Sequence, residues 1–270
     1  VLEGESDKEV LLSTYLCHPS MANNELSGPL AMAFLYRKLA ALPRRKFNYR
    51  FVFAPETIGV IAYLSLFGEQ MKKATVAGYV ATCCADTGPF TYKRSKHKNS
   101  LADRAAEHVL KFLHPDHSAI DFAVGGSDER QYCSPGFNMP VGSLMRTMYQ
   151  RYPEYHTSLD NKGFISFEAL EESVEVYFSI LTLVERNEKL YSVVQHCEPQ
   201  LGKRGLYPDS IKPGDAREAL HNMLHLLSFS DGDHDLIEIA DERPAFAEKF
   251  YEHVDKCLEA GVLKSSKHAD

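Results

Sequence analysis

The chain has 270 residues, 44% of them hydrophobic and 25% charged, with a formal net charge of −7. That is room for one sizeable domain and a small one, of ordinary globular composition. No apolar run reaches the roughly 20 residues of a membrane span, and the negative charge offers no general attraction to nucleic acid. The six scattered cysteines hold no C-x-x-C pair, which points to reduced thiols in a cytoplasmic setting rather than a disulfide framework or a cysteine zinc knuckle.

Residues 1–190 alternate strand-like and helix-like segments. "EVLLSTYL" (9–16) is an apolar run of strand length, and "GPLAMAFLYRKLAAL" (28–42) repeats its apolar residues at helical spacing with Pro29 in the first turn. "NYRFVFAP" (48–55) alternates and stops at proline, as a strand does; "IAYLSLFGEQMKKA" (61–74) reads as a helix and "VAGYVATCC" (76–84) as a strand. "SLADRAAEHVLKFL" (100–113) predicts a helix capped by Ser100 with Asp103 in its first turn. A short strand, "VGSLMR" (141–146), and a long amphipathic helix (166–187) complete the series. Such alternation predicts an α/β domain with a mostly parallel sheet flanked by helices.

Composition changes near residue 190. Residues 196–215 hold three prolines and three glycines, so 191–214 reads as a linker. The tail, 215–270, has a helix with Leu220, Met223, Leu224 and Leu227 on one face, a turn at "DGDHD" (231–235), a short helix "LIEIADE", a helix over 245–261 stopped by Gly261, and a small strand "VLK". This pattern predicts a winged helix. Residues 211–270 carry 13 acidic and 7 basic side chains, a net of −6. Its third helix bears Glu248, Lys249, Glu252, Asp255, Lys256 and Glu259, a surface that phosphate repels. A protein partner or self-association through the acidic tail fits better than nucleic acid.

In an open α/β sheet, ligand-binding groups gather beyond the carboxyl ends of the strands. His18 follows the strand 9–16, Glu56 follows 48–55, Asp128 lies in the Gly-rich "GGSDERQYCSPG" before 141–146, and His156 lies in "YPEYHTSLDN". Each alone also fits ordinary turn or helix-start chemistry; their succession at strand ends is what points to a metal site of imidazoles and carboxylates. "HPDH" (114–117) is a rival surface chelate, and "DER" around Arg130 reads as a local ion pair.

The order of these groups resembles the co-catalytic zinc aminopeptidases. Those enzymes present a metal-binding His, a bridging Asp in an Asp-Asn-x-Ser-Gly element, a Glu-Glu pair, a metal-binding Asp and a final His-Thr-x-x-Asp. His18, Ser27-Gly28, Glu56, Asp128 and His156-Thr157 with Asp160 match in order. Two positions depart from the pattern: Asn24 stands at the bridging Asp, and Thr57 at the second Glu. The wording of "CHPSMANNELSGP", "FAPETIGVIAYLS", "GSDERQYCSPG", "PEYHTSLDN" and "EPQLGKRGLYP" is similar to a bacterial family described as an aminopeptidase-like domain with a C-terminal winged helix and often labelled polysaccharide-biosynthesis proteins. The resemblance implies further sequence before Val1, so that the first strands of the sheet and a small inserted domain lie outside this chain.

By that resemblance, one zinc ion is held by His18 and Asp128, completed by Asn24 or Glu25, with His156 nearby. Glu56 acts as general base, Asp160 orients His156, and Arg146 and Tyr155 contact a peptide or aminoacyl-type substrate. A second zinc lacks its carboxylates. Two other readings stay open: an altered peptidase-like scaffold that binds an amino sugar or peptide, and a regulator working through the winged helix.

Overall fold

β1 (Glu9–Tyr15) is buried along its whole length in the computed structural model, which describes residues 1–207 and 213–265. A strand covered on both faces has no solvent side, which is why its sequence reads as a run and not an alternation. β1 lies between β2 (Asn48–Ala54) and β3 (Thr75–Ala81), parallel to both. Two three-residue strands, β4 (Thr91–Lys93) and β5 (Ser118–Ile120), pair in parallel, and β6 (Val141–Met145) joins them to β3. The order is β2-β1-β3-β6-β4-β5, and β4 runs antiparallel to β6. The sheet is therefore mixed but mostly parallel, as expected. β4 and β5 were not anticipated, because three residues carry no readable period.

The helices of this unit are α1 (Ser27–Ala40), α2 (Ile58–Ala74), α3 (Leu101–Leu113), α4 (Glu129–Tyr132) and α5 (Phe167–Arg186). α3 starts in the capping box expected of Ser100 and Asp103, each side chain bonding the other's backbone N–H. Leu11, Val52 and Val80 of the sheet pack with Val60, Leu64 and Met71 of α2 in one buried cluster.

The chain divides between Glu185 and Arg186. The second unit has β7 (Lys189–Ser192), α6 (Pro213–Phe229), β8 (Asp231–Asp235), α7 (Leu236–Glu242), α8 (Glu248–Glu259) and β9 (Leu263–Ser265). Its antiparallel sheet has the order β8-β7-β9. The segment expected as a linker over 191–214 thus opens inside β7, and 208–212 lie outside the described residues. "DGDHD" is a strand rather than a turn: β7 supplies the pairing that its own composition does not suggest, while Gly232 takes a positive φ of 92° within it. Gly261, at φ 66°, follows the end of α8 as expected.

Ser27 and Gly28 seat α1 on the sheet. The Ser27 hydroxyl donates to the Asn23 carbonyl and accepts from the Cys84 N–H at 2.8 Å. A Cβ on Gly28 would stand 2.5 Å from both the Ala81 carbonyl oxygen and Thr14 Oγ1. The Ser-Gly pair is therefore a packing device that fixes the approach to the strand ends. Gly28→Ala should lower stability by about 1–3 kcal/mol or more, since backbone must move to admit the methyl. Urea denaturation followed by circular dichroism measures this, and unchanged stability would contradict it.

Candidate metal centre

The chain leaves β1 at Tyr15 and reaches Cys17 and His18, then enters a five-residue π-helix, Ala22–Leu26, whose Leu26 N–H bonds the Met21 carbonyl at 3.2 Å. The wider π ring turns consecutive residues differently from an α-helix, and such turns cluster at functional sites. Here it buries Asn23, Asn24 and Glu25 in succession. Glu25 faces back to the strand end: its Oε2 accepts from the Cys17 N–H at 2.5 Å, and its Oε1 lies 3.2 Å from His18 Nδ1. His18 remains partly open to solvent while Glu25 is buried.

β2 delivers Glu56 two residues beyond its end. Burial, and next the negative charge of Glu25, hold the Glu56 carboxyl above its usual range against a hydrogen bond from Cys17 that lowers it. Thr57 follows at φ 61° and turns its N–H onto Asp128 Oδ1 at 2.7 Å. Asp128 is fully buried at the start of α4; burial is the main cause pushing its carboxyl up to about 7, with Glu56 adding to it.

Among the described residues, one group of three His, Cys, Asp or Glu side chains brings its ligand atoms within 4.8 Å of one another: Cys17, His18 and Glu25. Asn24 Oδ1 and Asp128 Oδ2 are buried without a hydrogen-bond partner. An unmet buried polar atom costs on the order of 1–3 kcal/mol. The imidazole, thiol and carboxylate of the group are donors of the kind a zinc-class ion takes, and Asp128 does not join them within that distance. The Asn24 amide is neutral and its Nδ2 donates to the Tyr15 hydroxyl at 3.2 Å, while the Thr57 hydroxyl accepts from Arg130 at 3.0 Å.

His156 lies beside His18 without joining the donor group. Its ring packs on the His18 ring with centroids 3.9 Å apart and stacks on Tyr155 at 3.8 Å, at a positive φ of 57°. Burial, then the neighbouring His18 charge, lowers its pKa. Tyr155 is pushed up to about 12, mainly by burial.

Three expectations need correction. Asp160 does not orient His156: its two oxygens accept from the Asn23 and Asn24 N–H groups at 2.6 and 3.0 Å. Arg146 is not free for substrate. It donates to the carbonyls of Ala169 and Gly88, to Ser173 and to Glu172, and covers the Phe90 ring at 4.4 Å. Arg130 forms no ion pair within "DER"; Glu129 bonds Lys93 instead, at 2.6 Å. The "HPDH" turn forms no donor group among the described residues, and His117 Nδ1 lies 2.8 Å from the His114 carbonyl oxygen. Sequence reasoning missed Cys17 and Asn23. Asn23 Oδ1 accepts from the N–H groups of Ala85 and Asp86, and its Nδ2 donates to Asp86; the Asn-Asn doublet was the available signal.

Residues 1–187 match the family described as a domain of unknown function, DUF4910, and residues 189–265 match a winged helix-turn-helix. A protein of Clostridium acetobutylicum, provisionally named a polysaccharide biosynthesis protein with aminopeptidase-like domain, is 41% identical over 239 residues, covering 88% of this chain and 54% of that one. A crystal structure of a provisionally assigned peptidase from Clostridium acetobutylicum has a TM-score of 0.89 at 38% identity, covering 98% of this chain and 59% of that one. The chain thus spans little more than half the length of these relatives. More distantly, a zinc aminopeptidase from Bacillus subtilis has a TM-score of 0.56 at 15% identity over 66% of this chain and 46% of that one. A glutaminyl cyclase from an Acidobacteriales bacterium has a TM-score of 0.57 at 16% identity over 67% and 71%. These two share the fold. With an aminopeptidase-like sheet followed by a winged helix, the chain belongs to the DUF4910 family.

Proposed function

We propose that this domain is an aminopeptidase-like hydrolase that uses one zinc ion to cleave a peptide or amide bond. The observation that carries this reading is the meeting of His18 and Glu25 at the end of β1 with Glu56 at the end of the adjacent, parallel β2, where Glu56 feels the charges of both. His18 and Glu25 would hold the ion, with Asp128 Oδ2 and Asn24 Oδ1 as further oxygen donors. When bound, zinc supplies a Lewis acid and lowers the pKa of a coordinated water to about 7.

The protein's own groups supply the proton traffic. Glu56 takes a proton from the attacking water and returns it to the leaving amine; its raised pKa suits a group that must do both near neutrality. Tyr155 stays protonated and offers its hydroxyl to the charge that develops on the substrate carbonyl oxygen. His156, whose protonation burial and then His18 disfavour, stacks on the Tyr155 ring. The relative's name joins such a chain to polysaccharide assembly, so N-acylated amino sugars belong beside aminoacyl amides as trial substrates.

The acidic tail points to a protein surface or a second copy. On α8, Lys249 pairs with Glu218 at 2.8 Å and Lys256 with Glu252 at 2.5 Å, so both lysines face carboxylates.

Glu56→Gln should lower kcat by roughly 10²- to 10⁴-fold on any amide that the zinc-loaded protein cleaves, with metal content unchanged. Steady-state rates with metal analysis check this, and full activity in the variant would remove Glu56 from its role. A second expectation concerns the metal-free protein. The Asp128 carboxyl, raised to about 7, favours its protonated form in the fold. That contribution is complete below the ordinary carboxylate value of about 4 and is lost as pH rises through about 7. Asp128→Asn keeps an oxygen for the Thr57 N–H and mimics the protonated acid. In the presence of EDTA its stabilising effect relative to wild type should be larger at pH 8 than at pH 5 by on the order of 1–3 kcal/mol. Denaturant melts at the two pH values decide, an equal effect at both being the contrary result. Third, fluorescence anisotropy with duplex DNA at low salt should give no salt-sensitive binding; tight binding with a steep salt slope would favour the regulator reading.

A further inference from the structure

We propose that Cys17 is itself a metal ligand, and that Cys17, His18 and Glu25 form a mononuclear thiolate–imidazole–carboxylate site for a zinc-class ion. This deepens the hydrolase reading, which needs His18 and Glu25 but makes no use of the thiol.

Geometry comes first. The three donor atoms already lie within 4.8 Å of one another. An ion bound at about 2.0–2.3 Å from each donor needs them somewhat closer than that limit, and the mobile partners are the two that can move. Cys17 is exposed and His18 half-exposed, while Glu25 is buried and anchored by the Cys17 N–H. That backbone bond ties the strand end to the π-turn, so consecutive ligands from one loop and a third from the next turn share one frame. Cys17 as third donor, in place of Asn24 and Asp128, leaves a fourth position open, the arrangement of zinc sites that work on substrate.

Charge and softness agree with the geometry. The Asn24 amide and the Thr57 hydroxyl are neutral and offset none of a metal ion's charge. A thiolate from Cys17 adds one negative charge to that of Glu25, and it biases the choice toward zinc and cobalt and away from magnesium, calcium or manganese, which prefer oxygen. Binding removes the thiol proton, which passes to solvent as the sulfur–metal bond forms. No redox change is involved.

The test is cobalt titration of the chain, read by optical absorption and by metal analysis after gel filtration. The wild-type protein should bind one Co²⁺ with a sulfur-to-cobalt charge-transfer band in the near ultraviolet. Cys17→Ser should abolish the band and weaken cobalt binding by more than the roughly 10- to 100-fold that loss of an outer hydrogen-bond partner costs. Cys197→Ser, which alters another exposed thiol, should leave band and affinity unchanged. Cobalt bound without the band, or a band that survives Cys17→Ser, overturns the proposal while leaving a metal hydrolase possible through His18 and Glu25. A band of the expected behaviour without turnover of any amide upholds the site and counts against the hydrolase reading. Binding of no cobalt overturns both.

Discussion

One carboxylate joins the two halves of the candidate centre. Asp160 accepts from two successive N–H groups, those of Asn23 and Asn24, across 137 and 136 residues of chain, and its own carbonyl accepts from the Ala22 N–H at 3.1 Å. The first N–H groups of a helix have no partner within it, so a buried π-turn needs an outside acceptor, and a charged one bonds more strongly than a neutral one. The turn so fixed presents Glu25 to His18; the loop that supplies Asp160 also carries Tyr155 and His156. From Asn23 the same network continues to Asp86, which accepts from the Thr147 hydroxyl at 2.5 Å just past β6. The ends of β1, β3 and β6 are thereby held in register by side chains, where the sheet's own ladder has stopped.

A second buried tie positions Asp128. Lys93 on β4 and Glu129 on α4 are both fully buried and 2.6 Å apart, and the same ammonium donates to the Gly125 carbonyl at 2.7 Å and the Tyr149 hydroxyl at 3.2 Å. Such pairs stabilise little in net terms, because desolvation consumes much of the attraction, but removing one partner leaves a buried charge. The consequence here is positional. The Gly-rich loop before α4 is clamped at Gly125 and Glu129, so Asp128 between them keeps one oxygen on Thr57 and the other free.

Legibility in the sequence followed distance along the chain. The strands at 9–15, 48–54, 75–81 and 141–145 and the capped α3 were readable because burial and capping write local patterns. His18, Glu56, Asp128 and His156 were readable as candidates because strand ends in an α/β order are where such groups collect. What failed depended on partners that local pattern does not name. Asp160 stands four residues from His156 yet bonds a turn far up the chain. Arg146 at a strand end looked available, and its partners Ala169, Glu172 and Ser173 lie a loop and a helix start away. "DGDHD" became a strand through β7. The π-turn has no hydrophobic period of its own, and Cys17 carries no spacing signal beside a histidine that had already taken the attention.

The departures at Asn24 and Thr57 amount to a difference in charge. Two divalent ions about 4 Å apart repel by roughly 17 kcal/mol at an effective dielectric of 20, and bridging and terminal carboxylates are what make such a pair tolerable. An amide at 24 and a hydroxyl at 57 supply none of that charge. Residue 57 is not idle for that. A β-branched residue at φ 61° holds a strained backbone worth on the order of 1–3 kcal/mol, and it is kept there by its N–H on Asp128 and its hydroxyl under Arg130. The backbone of Thr57 thus orients a carboxylate that its side chain does not provide. Asp128 keeps its second oxygen unpartnered, and the thiol of Cys17 lies with His18 and Glu25 in one donor group among the described residues.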